Sequence, residues 1–95
     1  MSTGEGEEHF GDGKISGRGT VDAHGTKSGR WEFYYRSGTL KATGDFVDGQ
    51  MSGAWTWNRE DGSLMRTGHF VNGEQRGEWK TYDREGTLAR TTDFN

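Results

Sequence analysis

The stretch that decides the fold runs from residue 28 to residue 46 and reads SGRWEFYYRSGTLKATGDF. The same pattern returns without gaps at residues 52–70, SGAWTWNREDGSLMRTGHF, and at residues 76–94, RGEWKTYDREGTLARTTDF. Trp31, Trp55 and Trp79 are therefore each 24 residues apart, and a degenerate copy without a Trp precedes them from Gly13. A fixed period of this length indicates a repeat architecture, in which each unit packs on its neighbours.

Each unit contains two segments with the alternation of β-strands. Trp31, Phe33 and Tyr35 occupy every second position of the first segment, and a second alternating segment runs from Leu40 to Phe46. Side chains on a strand point to opposite faces in turn, so this spacing places the large rings on one face. The sequence predicts an all-β fold, a single-layer, curved antiparallel meander of tandem β-hairpin repeats.

Dipeptides ending in glycine separate these segments and predict two-residue hairpin turns, because glycine accepts the positive φ that such turns need. They include Ser37-Gly38, Asp61-Gly62, Glu85-Gly86 and Asp48-Gly49. The resulting register keeps the rings on one face. It pairs Trp31 with Gly44, Phe33 with Ala42, Tyr35 with Leu40, Phe46 with Met51, Gly44 with Gly53, Ala42 with Trp55, and Leu40 with Trp57. We also expect an indole to cover a strand glycine, with Trp31 over Gly44 and Trp55 over Gly68.

The expected domain organisation is simple. Residues 1–12 form an acidic N-terminal segment that is free to move, and residues 13–95 form the repeat domain. Its units span about residues 13–27, 28–51, 52–75 and 76–95. The degenerate copy that starts at Gly13 and the last copy, residues 76–95, depart most from the pattern. Such departures are typical of terminal capping units.

Composition excludes several classes of function. The chain has no Cys, so disulfides and thiolate metal sites are absent, and its net charge is −3 without a basic stripe for nucleic acid. No apolar run is long enough to span a membrane and no signal-peptide pattern opens the chain, so we expect a cytoplasmic protein. Aromatic residues make up 13% of the chain, against only 27% hydrophobic residues in all. The apolar area available for a core is therefore concentrated in rings.

The sequence contains no catalytic constellation. Asp45, His69 and Asp93 share one repeat position. Equivalent positions lie two strands apart, roughly 9–10 Å, which is too far for short side chains to converge on a metal. Residues 11–17, GDGKISG, lack the Gly-Lys-Ser/Thr ending and the flanking elements of a phosphate loop. We expect a protein without enzymatic activity, cofactor or metal.

The repeat resembles a known family. Residues 31–35 (WEFYY), 38–40 (GTL), 44–46 (GDF) and Gly49 resemble the MORN repeat. The closest likeness is to the 24-residue variant of bacterial proteins described as YwqK-type antitoxins. The third copy departs from the pattern at Thr81, Asp83 and Thr92. The resemblance implies tandem β-hairpins that serve protein association, toxin neutralisation or, in eukaryotic members, membrane-linked scaffolding.

The face that bears the rings is the candidate binding surface. A single-layer sheet leaves this face without a covering layer, and Trp, Tyr and Arg are the residues that dominate protein-binding hot spots. The candidate partner-binding residues on this concave face and its arginine rim are Tyr35, Trp57, Arg59, Arg66, Trp79, Asp83 and Arg90, and Arg66 is placed to stack on Trp57 and Trp79. Tyr34 and Tyr82 are secondary candidates, expected to be exposed on the opposite face.

These features predict an antitoxin-like or inhibitor-like module that binds another protein, such as a toxin or a nuclease. One alternative is a structural repeat segment that self-associates, for example as a homodimer formed by edge or face pairing. A second alternative is a binder of membrane-surface lipids, which the negative net charge disfavours. Direct binding of nucleic acid is not expected.

Overall fold

The computed structural model describes residues 4–94, and every regular element in that range is a β-strand. The eight strands are β1 (Gly4–His9), β2 (Ile15–Val21), β3 (Lys27–Tyr34), β4 (Leu40–Val47), β5 (Gln50–Asn58), β6 (Leu64–Val71), β7 (Glu74–Tyr82) and β8 (Leu88–Phe94). They form one open sheet in which each strand pairs antiparallel with its neighbour in the chain. The predicted all-β meander of hairpins is confirmed.

The first strand comes from the acidic segment that the sequence set apart from the repeats. Residues 4–9 pair along β2, with Gly6 opposite Gly19. Residues 1–3 of the segment lie outside the described residues. The sheet therefore begins one strand earlier than expected. The strand was not predicted because residues 4–9, GEGEEH, contain neither the Trp of the repeat nor another large apolar residue.

Turns at the two edges of the sheet differ in length, except that the turn after β2 is as long as those at the opposite edge. In this turn the Gly25 N–H donates to the Asp22 carbonyl over 3.0 Å, and the Asp22 N–H donates to the Thr26 carbonyl over 2.9 Å. The lower edge carries the turns after β2, β4 and β6, and the upper edge carries those after β1, β3, β5 and β7. At the lower edge, Asp48 and Gly49 have φ values of 52° and 81°, and Val47 pairs directly with Gln50. This is the two-residue turn that the sequence predicts, with positive φ at both central residues.

At the upper edge the prediction of two-residue turns is wrong. The Gly38 N–H donates to the Tyr35 carbonyl over 2.9 Å, and the Tyr35 N–H donates to the Thr39 carbonyl over 2.9 Å. The loop is thus three residues long, with Gly38 at a φ of 93° as its last member. A type I turn followed by a left-handed glycine gives this geometry, and a dipeptide ending in Gly does not distinguish it from a two-residue turn.

A bulge restores the register that the longer loop would shift. Tyr34 pairs with Leu40, not Tyr35 as predicted, and the pairing then shifts so that Phe33 meets Ala42. The predicted pairs Trp31 with Gly44 and Phe33 with Ala42 are therefore confirmed. The extra residue of the loop and the extra residue of the bulge cancel.

A second bulge interrupts the pairing of β4 with β5. Asp45 pairs with Ser52 and Thr43 pairs with Thr56, so residues 53–55 lie opposite the single residue Gly44. The predicted pairs of Ala42 with Trp55 and of Leu40 with Trp57 are wrong, since Ala42 meets Trp57. An insertion of two residues keeps side-chain parity, and the rings remain on the predicted face.

The indoles lie over glycines, but on the strand before the one predicted. A Cβ built at Gly19 would overlap the ring of Trp31, and one built at Gly44 would overlap Trp55. The predicted packing of the Trp31 ring over Gly44 and of the Trp55 ring over Gly68 is therefore wrong, although the backbone pairs of these residues are present. The Nε1 of Trp55 donates to the carbonyl of Asp45 over 3.1 Å, which fixes this orientation.

The last repeat keeps one half of this packing. The ring of Trp79 lies over Gly68, and Thr92 holds the equivalent glycine position on β8. β8 is the last strand of the described sheet. The buried core lies entirely on the ring-bearing side and consists of Trp31, Ala42, Phe46, Trp55, Phe70 and Trp79.

Candidate binding surface

The aromatic face, defined as the face that carries Trp31, Trp55 and Trp79, is covered by a chain of ring contacts. Centroid distances are 5.8 Å from Trp31 to Phe33, 6.1 Å from Phe33 to Trp55, and 5.7 Å from Trp55 to Trp57. Trp57 continues the chain to Trp79 at 5.3 Å. Edge-on contacts to the indoles come from Phe46, Phe70 and Phe94. Such pairs stabilise by about 0.5–1.5 kcal/mol beyond simple burial, so the rings themselves replace a second structural layer.

Exposure divides these rings into core and surface. Trp31, Trp55 and Trp79 are 2–3% exposed, Phe46 and Phe70 are 8–9% exposed, and Phe94 is partly buried. Phe33, Met51 and Trp57 are only half-buried. They line a depression of about 380 Å³ that Glu8 and Lys41 also border. The part of the aromatic face that a partner can contact is therefore centred on Phe33 and Trp57.

One cross-strand row passes through this centre, and we call it the central row. Its members pair from strand to strand across the whole sheet, in the order Glu8, Gly17, Phe33, Ala42, Trp57, Arg66, Thr81 and Arg90. The row begins at the carboxylate of Glu8 and continues over aromatic and small residues. It ends with Arg66 and Arg90, which lie on either side of Thr81. It thus combines an apolar centre with charged ends of opposite sign.

Arg66 joins the buried and exposed parts of the face. Its guanidinium carbon lies 5.3 Å from the ring centroid of Trp57 and 5.8 Å from that of Trp79. The predicted stack is confirmed, although Arg66 pairs across the strands with Thr81 and not with Trp79. Its Nε is buried and has no hydrogen-bond partner among the described residues.

Arg59 and Tyr35 lie at the upper edge and bind neighbouring turns together. The guanidinium of Arg59 donates to the carbonyl of Tyr82 over 2.6 Å. The hydroxyl of Tyr35 donates to the carbonyl of Asn58 over 2.8 Å. These contacts form a ladder of hydrogen bonds along the upper edge, so both side chains, which the sequence places on the binding face, hold the turns.

Asp83 and Trp79 also make structural contacts. The carboxylate of Asp83 accepts the N–H groups of Glu85 at 3.0 Å and of Thr87 at 2.9 Å, which closes the last upper turn. Trp79 is 3% exposed and belongs to the core. Of the seven candidates, Trp57, Arg66 and Arg90 share the central row. The sequence did not identify Phe33 and Met51 as partner contacts, since exposure within a row of rings has no sequence signal.

The secondary candidates Tyr34 and Tyr82 are half-buried, not exposed as predicted. The Tyr34 hydroxyl donates to the carboxylate of Glu32 over 2.9 Å, and the guanidinium of Arg18 lies 5.8 Å from its ring centroid. Burial, followed by the hydrogen bond to Glu32, raises the pKa of Tyr34 above its ordinary value. Tyr34 is thus neutral at physiological pH and part of a local network on the polar face, the side opposite the aromatic face.

Ion pairs cover the polar face. The pairs Arg18–Glu32, Arg30–Asp45 and Lys80–Glu78 have side chains that are 41–64% exposed. Exposed pairs of this kind contribute about 0–1 kcal/mol each to stability, so they stabilise the sheet only weakly. Within residues 4–94, no group of three or more His, Asp or Glu side chains is arranged to hold a metal ion.

Comparison with protein-family models gives a match to the MORN repeat variant at residues 27–48 and 75–95. These segments correspond to β3–β4 and β7–β8, the hairpins whose first strand contains a Gly-x-Trp motif. The chain contains two repeats of the MORN variant. MORN repeats are generally non-catalytic modules that bind proteins or membranes. Comparison with curated proteins and with solved structures gives no match. Across residues 4–94, no helix is long and apolar enough to cross a membrane.

Proposed function

We propose that this MORN-variant module works as an antitoxin-like or inhibitor-like protein, which binds its target through the central row of the aromatic face. The observation that carries the proposal is the half-buried pair Phe33 and Trp57, set between a carboxylate and two arginines. Trp and Arg in a partly desolvated setting are the residues that most often dominate binding free energy. The absence of a covering layer within the described sheet leaves these rings accessible.

The target that fits this row has a defined chemistry. Its contact surface carries an apolar group over Phe33 and Trp57, and an acidic group that meets Arg66 and Arg90. A carboxylate beside Arg66 would accept from the terminal N–H groups of its guanidinium. Charge-assisted hydrogen bonds to carboxylates are about twice as strong as neutral ones, so this contact would add specificity as well as affinity.

Affinity capture with matched variants tests the proposal. Bait proteins would be the wild type, Trp57→Ala on the aromatic face, and Thr56→Ala, the neighbouring residue on the polar face. The proposal expects a protein that the wild type and Thr56→Ala capture and Trp57→Ala does not. Co-expression with the wild type should then relieve the toxicity or block the activity of that protein. Capture that is equal for all three baits, or binding without inhibition, would contradict it.

Self-association through the β8 edge is the second candidate function. Residues 88–93 of β8 are all exposed, and Leu88 retains 49% exposure, which is high for a large apolar side chain. Unpaired edge strands of this kind readily add another strand. A mass that stays monomeric in light scattering across micromolar concentrations would rule out this candidate, and dimers that survive Trp57→Ala would support it.

A further inference from the structure

A second concave feature lies on the polar face, away from the central row. It is a groove of about 600 Å³ between the turn that joins β1 to β2 and the turn that joins β3 to β4. Lys14 and Arg36 lie on opposite sides of the groove. Its lining also includes Ile15, Arg18 and Tyr34. Three cationic side chains therefore surround a space that also has apolar walls.

The charge of the groove is opposite to that of the whole protein. The chain carries a net charge of −3, whereas the groove is lined by three cations and by no Asp or Glu. Among the described residues, Arg18 is the only one of these cations that has an ion-pair partner. Arg18 is 3.8 Å from the carboxylate of Glu32 and 57% exposed, and Arg36 stacks on the ring of Phe10 at 5.2 Å.

The groove stays open because no side-chain hydrogen bond joins the first upper turn to the second, among the described residues. Tyr35 and Arg59, each the first residue of its turn, donate to a carbonyl beside the next turn. Phe10 holds the equivalent position in the first turn, and its side chain has no donor. Its contact with Arg36 holds that guanidinium in place at the edge of the groove without closing the gap.

We propose that this groove binds a short acidic segment of a protein, with one apolar side chain against Ile15 and Tyr34 and its carboxylates at Lys14, Arg18 and Arg36. Arginine recognises carboxylates through paired N–H donors, and the groove offers two guanidinium groups. The segment must be short, because the three carboxylates that border the adjoining depression on the same face outnumber its two guanidinium groups; they belong to Glu5, Glu7 and Glu32, against Arg18 and Arg30. These carboxylates would repel an extended anionic surface such as a membrane or a nucleic acid backbone.

The inference goes beyond the proposed function, since it concerns the other face of the sheet and holds whether or not the central row binds a target. A titration of the ¹⁵N-labelled protein with a blocked hexapeptide, Glu-Leu-Glu-Glu-Leu-Glu, tests it directly. We expect saturable shifts of the amide signals of Gly13, Ile15 and Gly38, with an affinity that falls as salt is raised. The same peptide with Lys in place of Glu should cause no shifts.

Variants distinguish the groove from general electrostatics. Arg36→Glu should weaken peptide binding by roughly tenfold or more, because charge reversal converts one attraction into a repulsion. Arg76→Glu, the same change on β7 far from the groove, should leave the affinity within about twofold. Trp57→Ala should also bind the peptide normally, which separates this test from that of the central row.

Three results would overturn the proposal. The first is the absence of saturable shifts at the groove, and the second is equal weakening by Arg36→Glu and Arg76→Glu. The third is co-sedimentation with phosphatidylserine vesicles that depends on Arg36 while the peptide causes no shifts. That outcome would assign the groove to lipid headgroups instead.

Discussion

Replacing Gly44 by alanine tests the packing on which the whole aromatic face depends. The backbone at Gly44 is not in the left-handed region, so alanine itself fits the main chain and only the indole of Trp55 stands in the way. The added Cβ would overlap the ring, and a ring that is 2% exposed has no free space into which it can move. The indole must therefore lift from the sheet, and its neighbours must move with it.

The magnitude follows from two limits. Forcing an extra methyl group into a packed core costs about 1–3 kcal/mol when neighbours can adjust. Complete loss of an indole contact would expose about 150–250 Å², or roughly 4–6 kcal/mol at 25 cal/mol per Å². Alanine regains up to about 1 kcal/mol through its better strand propensity. We expect Gly44→Ala to lower the free energy of unfolding by about 3 kcal/mol.

Urea unfolding followed by tryptophan fluorescence would measure this change, with Thr92→Ala as the matched control. Thr92 holds the equivalent repeat position on β8, is exposed, and has no indole over it, so its replacement should change stability by about 0.5 kcal/mol or less. If Gly44→Ala were as stable as the wild type, the glycine would serve only to bend the strand. The packing argument would then be refuted.

Further predictions concern the turns of the sheet. Arg59→Met should lower the free energy of unfolding by about 1.5–3 kcal/mol, because it removes a charged donor from the carbonyl of Tyr82, and chemical denaturation would measure the loss. Phe10→Arg supplies the donor that the first turn lacks, so thermal melting should show equal or higher stability, together with weaker binding of the acidic peptide. Backbone hydrogen bonds from Thr26 and then His24 lower the pKa of Asp22 below 3.8. The stability that this carboxylate contributes is therefore complete above the unfolded pKa and is lost as pH falls through the lowered folded pKa. Asp22→Asn can still accept these hydrogen bonds, so its melting temperature should depend less on pH below pH 4.

The strand pattern was predictable because parity is a robust signal. Trp31, Trp55 and Trp79 share a face because the one-residue bulge between β3 and β4 offsets the extra residue of the loop, and the bulge between β4 and β5 inserts two residues. The individual pairings were less predictable. Gly38 and Gly49 look alike in the sequence, yet one closes a three-residue loop and the other a two-residue turn.

The direction in which each indole leans depends on a bulge that no dipeptide pattern reveals. In retrospect the Gly-x-Trp motif carries that information. Gly53, two residues before Trp55, has a φ of 72°, and it begins the bulge that places the ring over Gly44. The site was predictable only in part, because burial divides chemically similar residues. Trp57 and Trp79 are the same residue type on the same face, but Trp57, which is not preceded by the Gly-x-Trp glycine, remains half-exposed.

The most direct test of the proposed binding surface is the dissociation constant of the captured target for two variants that differ by one position in β5. Thr56 and Trp57 are adjacent and point to opposite faces of the sheet. If the central row is the binding surface, Trp57→Ala will weaken binding by roughly thirtyfold, which corresponds to a loss of about 2 kcal/mol, and Thr56→Ala will change it by less than about twofold. Weakening by Thr56→Ala with unchanged binding by Trp57→Ala would show that the target occupies the other face.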